Sequence, residues 1–138
     1  MFNLSRLFRS IFHPGKLNLV CVKPEKRMDG LVFNPLRGYD HQVNVADYTC
    51  PHCSRKIRFT TSNFDDAVRW PEGVLSRDHA REFDRTRPVK KKRWEDFLDF
   101  YCPGCRNPVR IIFQVRSVEA MKGYSFEVTD IVEVAKLR

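Results

Sequence analysis

Cys50-Pro51-His52-Cys53 and Cys102-Pro103-Gly104-Cys105 are the two stretches that decide the fold of this chain. Each Cys-Pro-x-Cys turn presents two thiols on one tight bend, so two copies supply the four ligands of a tetrahedral metal site. The likeness runs past the cysteines. Cys50 through Phe59 aligns with Cys102 through Ile111: the Cys-Pro-x-Cys turn, three loop residues, a β-branched residue, an arginine and a bulky apolar residue. A tyrosine precedes each copy, Tyr48 in one and Tyr101 in the other.

The quasi-repeat resembles the paired knuckles of a zinc ribbon, in which two β-turns clamp one Zn²⁺ and strands run out behind them. The resemblance names a module and not an activity. It implies one structural Zn²⁺ held by Cys50, Cys53, Cys102 and Cys105. Ribbon knuckles carry glycine after the second cysteine, where the turn favours positive φ; here those positions are Ser54 and Arg106. The spacing between the pairs, 48 residues from Cys53 to Cys102, is long for a ribbon.

Two other uses of the cysteines compete with metal. A redox Cys-x-x-Cys occurs once, at a strand-to-helix turn. Disulfides need an oxidising compartment, and the sequence shows no secretory signal. The expected location is intracellular and reducing, the cytoplasm. Four thiolates leave no coordination position for water, so the expected metal is scaffold and not catalyst. His52 then has no vacancy to fill. Cys21 stands alone in an apolar run and reads as a buried thiol.

A length of 138 residues implies one domain, 1–138, with a modest core that a metal would help to hold. Hydrophobic residues make up 42% and include 11 Phe, which excludes a disordered chain. No apolar run reaches the length needed to span a bilayer. The formal charge is +8, which invites a nucleic-acid reading. The excess is dispersed, however: residues 64–99 carry nine basic and nine acidic groups. Arg55, Lys56, Arg58, Arg106 and Arg110 lie close in sequence to the cysteines and are candidates to offset the −2 formal charge of a four-thiolate Zn²⁺ centre.

Leu4, Leu7, Phe8, Ile11 and Phe12 follow helical spacing, so 1–13 reads as an amphipathic helix ended by Pro14-Gly15. Docking on the core, peripheral membrane contact through 1–12 and organelle targeting are its three readings, the first preferred. Strands are expected at 17–22, at 41–48 leading into the first knuckle, and at 57–61 leaving it. The ribbon halves are 43–61 and 95–118. Between them, 62–94 is an insertion with a helix after Ser62 or Asn63 and a second from about Ser76 to Phe83. Residues 94–101 fit either element; a strand is preferred, because a knuckle is entered from one. A C-terminal hairpin spans 109–134, with a change of phase near Asp130 that predicts a β-bulge. The expected class is a β-rich α+β fold: a small zinc-ribbon-centred domain with a C-terminal hairpin, an N-terminal amphipathic helix and a partly helical insertion.

No phosphate loop, nucleophile elbow or His-Glu-x-x-His motif is present. Asp78, His79, Glu82 and Asp84 are better read as solvated helix charges than as an acid–base cluster. The expected function is therefore non-catalytic binding, through a protein partner of adaptor, assembly-factor or toxin-neutralising type. Candidate contact residues lie in the insertion: Trp70, Arg85, Arg87, Lys90, Lys91, Lys92, Arg93 and Trp94. Aromatic and arginine side chains on a rigid surface are the usual hot-spot types. The alternative is a nucleic-acid-binding zinc ribbon that uses the basic run 85–93, with Trp94 as a stacking platform. The balanced charge of 64–99 puts the protein partner first.

Overall fold

A computed structural model describes residues 17–29, 32–33, 45–60, 63, 75–118 and 123–136. The expected helix at 1–13, the helix after Ser62 or Asn63 as a whole, and Trp70 lie outside the described residues.

The eight strands are β1 (Leu19–Val22), β2 (Met28–Asp29), β3 (Val32–Phe33), β4 (Val45–Thr49), β5 (Lys56–Thr60), β6 (Glu95–Tyr101), β7 (Pro108–Val118) and β8 (Gly123–Val134). One α-helix, α1 (Arg77–Thr86), lies among the described residues, with short 3-10 turns at Pro24–Lys26 and Lys91–Arg93. The strands form two antiparallel sheets. The larger runs β1-β8-β7-β6, with β3 also paired to β8; the smaller runs β2-β4-β5. The β-rich class is as expected, and 94–101 is strand from Glu95 onward.

Alternation along the strands gives the larger sheet two covered faces. Leu98 and Phe100 of β6, with Val109, Ile111 and Phe113 of β7, turn toward Met28, Ala46, Tyr48 and Phe59 of the smaller sheet. Tyr48, Phe59 and Phe100 meet there ring against ring, Phe100 lying 5.6 Å from Tyr48 and 5.4 Å from Phe59. The other face carries Ile112 and Val132, which α1 covers with Phe83 while Leu75 packs alongside. Ser76 caps α1 by accepting the His79 N–H at 3.3 Å, and Asp78 in the first turn and Arg85 in the last suit the helix dipole.

The hairpin of β7 and β8 changes register where expected. Ile112 lies opposite Asp130 but Phe113 lies opposite Val128, so Thr129 is the extra residue of a bulge. The bulge shifts the phase of β8. Phe126, Val128 and Ile131 can all join the core toward the smaller sheet, while Val132 faces the helix.

Each face also buries charge, and on each the charge is paired. On the helix side the Arg110 guanidinium, 1% exposed, forks onto Asp99 at 2.7 and 3.0 Å and reaches Asp84 of α1. It stacks on Phe97 at 4.1 Å and lies 5.7 Å from Phe83. On the other face Glu133, also 1% exposed, accepts from Tyr48 Oη at 2.7 Å and from Arg27 Nε at 2.7 Å. Burial, reinforced by the Glu133 carboxylate, holds the Tyr48 hydroxyl protonated well above the usual tyrosine range. Burial likewise lifts the Asp99 carboxyl above its ordinary value, against the pull of Arg110.

A buried carboxylate stripped of its fork is expensive. Arg110→Met is expected to destabilise the fold by about 3–5 kcal/mol in denaturant unfolding, whereas Arg110→Met combined with Asp99→Leu should recover most of that loss. Equal losses in the single and double variants would show that Arg110 acts through shape and not through Asp99.

Candidate metal centre

Each knuckle is the bend of a hairpin. β4 leads into Cys50 and β5 leaves after Arg55; β6 leads into Cys102 and β7 leaves after Asn107. Matching hydrogen bonds hold the two bends. Cys50 N–H donates to Arg55 O at 2.9 Å and Cys102 N–H to Asn107 O at 2.8 Å. Ser54 N–H returns to Cys50 O at 2.9 Å and Arg106 N–H to Cys102 O at 2.7 Å. Ser54 and Arg106 both sit at positive φ, 62° and 66°. The backbone thus adopts positive φ at the two positions that follow the second cysteine of each turn, although neither is glycine, and the turn geometry outweighs the local cost of a Cβ, about 1–2 kcal/mol each.

The hairpins belong to different sheets, and their tips meet. Cys50 Sγ lies 3.6 Å from Cys105 Sγ, and Cys53 Sγ lies 3.5 Å from Cys102 Sγ. All four sulfurs fall within 4.8 Å of one another. A tetrahedral Zn²⁺ with bonds of about 2.3 Å separates its sulfurs by about 3.8 Å. The four cysteines are therefore positioned to hold a metal ion, and the arrangement is compatible with a zinc-ribbon-like site. Cys50 and Cys102 are buried at the base, Cys105 is half-buried, and Cys53 is exposed.

Backbone N–H groups prepare the inner sulfurs for negative charge: those of Cys53 and His52 point at Cys50, and those of Cys105 and Gly104 at Cys102. The thiols respond differently. Burial pushes Cys50 up to about 12 and also raises Cys105. Burial works against the Cys102 thiolate too, but the N–H groups of Cys105 and Gly104 and the adjacent thiols outweigh it and bring this group down to about 7.

The two knuckles differ at their third residue. A Cβ built on Gly104 would stand 2.8 Å from Cys53 Sγ, so only glycine lets the opposite thiol approach. In the first knuckle that residue is His52, whose Nε2 lies 2.8 Å from Val134 O and ties the knuckle to the end of β8.

The cations near the site are partly committed elsewhere. Arg110 faces the helix and pairs with Asp99, Arg58 pairs with Asp47 at 3.0 Å, and Arg106 lies 5.9 Å from the Tyr101 ring. Arg110 therefore does not serve the thiolates, contrary to the sequence-based expectation. Cys21 is exposed, not buried, on the strand β1, and its Sγ lies 3.6 Å from Asp130 Oδ1.

The candidate contact residues separate into two groups. Arg87 turns inward: it forks onto Glu95 at 2.7 and 2.9 Å and reaches Asp130 at 3.0 Å. Lys23 completes that cluster at 3.0 Å from Asp130. Arg85 is exposed and lies 3.3 Å from Glu82. Lys90, Lys91, Lys92, Arg93 and Trp94 are all exposed. Trp94, at 74%, is the large hydrophobic residue left in solvent among the described residues. Its backbone is left-handed, φ 62° and ψ 27°, and closes the 3-10 turn. The turn is firmly tied. Lys90 N–H donates to Glu95 Oε1 at 2.8 Å, Trp94 N–H to Lys91 O at 3.0 Å, and Val115 N–H to Trp94 O at 2.9 Å.

No helix among the described residues is long and apolar enough to cross a membrane. Comparison with protein-family models, with curated proteins and with solved structures gave no match.

Two outcomes are expected of the centre, both read with Co²⁺ as a spectroscopic probe of thiolate ligation. Gly104→Ala should weaken metal binding by about 10- to 100-fold, the scale of losses at residues that orient ligands. Because Cys50 and Cys105 hold their protons at neutral pH, binding must displace at least two, and affinity should rise at least about 100-fold per unit between about pH 6 and 8, more steeply below about 7, where Cys102 also carries a proton. A slope near zero would mean that the sulfurs are not the ligands.

Proposed function

We propose that this chain is a non-catalytic binding module: its four thiolates hold one structural Zn²⁺, and the scaffold so formed presents the Lys90–Trp94 turn to a macromolecular partner. One observation carries the reading. Among the described residues, the large apolar side chain left in water is a tryptophan on a hydrogen-bonded turn beside three exposed cations. A left-handed non-glycine residue costs of order 1–3 kcal/mol, and such strain concentrates at functional positions. Glycine would meet the backbone requirement at 94 without strain but would remove the ring.

The metal assignment rests on donor chemistry. Four cysteine sulfurs in a tetrahedral arrangement suit Zn²⁺ and leave no open position for a water nucleophile. In that role the ion joins two sheets at one point, and the reading places the protein in a reducing compartment that keeps the thiolates available. Adaptor-type protein binding and nucleic-acid binding share this scaffold and this turn.

Elemental measurement on the native protein should give one zinc per chain. Cys50→Ser and Cys102→Ser should each lose metal and cooperative unfolding together. Affinity capture at moderate salt should recover a stoichiometric partner, protein or nucleic acid, with the wild-type chain. A chain with Lys91→Gln, Lys92→Gln, Arg93→Gln and Trp94→Gly should recover none while keeping its zinc. Equal recovery by both chains would sink the role assigned to the turn.

A further inference from the structure

We propose that the partner of the Lys90–Trp94 turn is a single-stranded nucleic acid, with a base stacked on the Trp94 ring and backbone phosphates held by Lys91, Lys92 and Arg93. This inference rests on the turn being the binding surface.

The first argument is charge. By sequence the insertion looks balanced, but among the described residues the acids next to the Lys90–Trp94 turn in sequence, Glu95 and Asp96, are engaged by partners, while Asp78 and Asp84 of α1 stay exposed. Asp84 and Asp99 are taken by Arg110, Glu95 by Arg87 and the Lys90 N–H, Glu82 by Arg85, and Asp96 accepts the Phe97 N–H at 2.8 Å. Asp130, brought near by the fold, is held by Arg87 and Lys23. Lys91, Lys92 and Arg93 pair with none of the described acids. What reaches solvent at this turn is positive charge without a local carboxylate to compete for it. That suits a repeating anion.

The second argument is the ring. Every base has a π-face, and stacking on an exposed aromatic is tolerant of sequence. An acidic polypeptide would satisfy the cations but leave the indole face idle. Duplex DNA hides its base faces within the stack, and exposing one costs energy. A single strand offers both a free π-face and adjacent phosphates.

The third argument is rigidity. Hydrogen bonds from Gln114 Nε2 to Arg93 O at 3.3 Å and from Val115 N–H to Trp94 O at 2.9 Å hold the turn against β7. A platform fixed in this way loses little freedom on binding.

The test uses the full, zinc-loaded chain and a fluorescein-labelled oligothymidylate of about ten nucleotides, with a duplex of equal length and polyglutamate as comparison probes. Anisotropy should show the single strand bound best. Three phosphate contacts predict about a 20-fold loss of affinity between about 50 and 200 mM salt. Tryptophan fluorescence should be quenched on binding, and the quenched component should be missing in Trp94→Gly. That variant should lose about 10-fold or more in affinity while keeping its zinc and an unfolding midpoint no lower than wild type. Exchanging Lys91, Lys92 and Arg93 for Gln should flatten the salt dependence. Wild-type affinity in Trp94→Gly, or preference for duplex or polyglutamate, would overturn the inference. A nuclease-resistant protein partner lost on the same substitutions would also overturn it and leave the role of the turn standing. A partner held equally by all variants would remove both.

Discussion

The meeting of two hairpin tips at four sulfurs is the constraint on which the rest of the structure depends. The smaller sheet reaches the larger one through side-chain packing and through this junction. Tyr48, Phe59 and Phe100 pack just behind it. Burying such side chains stabilises by about 1.5–3 kcal/mol apiece, but only if the hairpins are in register with each other. A metal ion held by the four cysteines would fix that register at one point. Without it, thiols at 3.5–3.6 Å must share protons in a half-buried space, and nothing covalent opposes their separation. Metal binding and folding are one equilibrium in such a site.

The same sheet solves a second problem with charge. A strand pair covered on both faces has nowhere to send its polar side chains. Arg110 and Glu133 are consequently buried, and each is met by partners from the layer that covers it. Asp84 of α1 reaches down to Arg110; Tyr48 of β4 and Arg27 reach across to Glu133. These contacts fix where the helix and the smaller sheet sit on the larger sheet. Apolar packing alone fixes that less well, because it is not directional.

Legibility followed the range of the signal. The clustering of the four cysteines, both turns and the strands beside them are legible in the sequence because their pattern is local and repeated. The bulge near Asp130 was readable from a phase change within one strand. The sequence places a helix at about 76–83, and it runs from Arg77 to Thr86: Arg87, extended ahead of Pro88, ends it and turns inward to Glu95 and Asp130. The fates of Arg87 and Arg110 were hidden for the same reason. Their partners lie as far as 43 residues away, and nothing in a basic run announces that one member is internal. Arg110 stands where the knuckle repeat places Arg58, yet only Arg58 stays exposed on its own sheet, paired with Asp47. Equivalent positions in the repeat therefore did different work once the sheets were stacked.

Among the described residues, three other than glycine carry positive φ: Ser54, Arg106 and Trp94. The first two follow from the knuckles, where the bend must bring two sulfurs and their N–H donors together. A metal ion bound by the four cysteines would offset the cost there, and the side chains of Ser54 and Arg106 are exposed. Trp94 has no such reason, since it closes a 3-10 turn that holds no ligand. The backbone alone would be better served by glycine, and the hydrophobic effect would be better served by almost any smaller or more polar side chain. Both local preferences are overruled at one residue, and it stands beside Lys91, Lys92 and Arg93, which are exposed and pair with none of the described acids. A conformation that glycine would adopt without strain and exposure without a described partner coincide there. Burial, partial burial or stacking accounts for every other aromatic whose side chain is described, and among the described residues this ring has no such account.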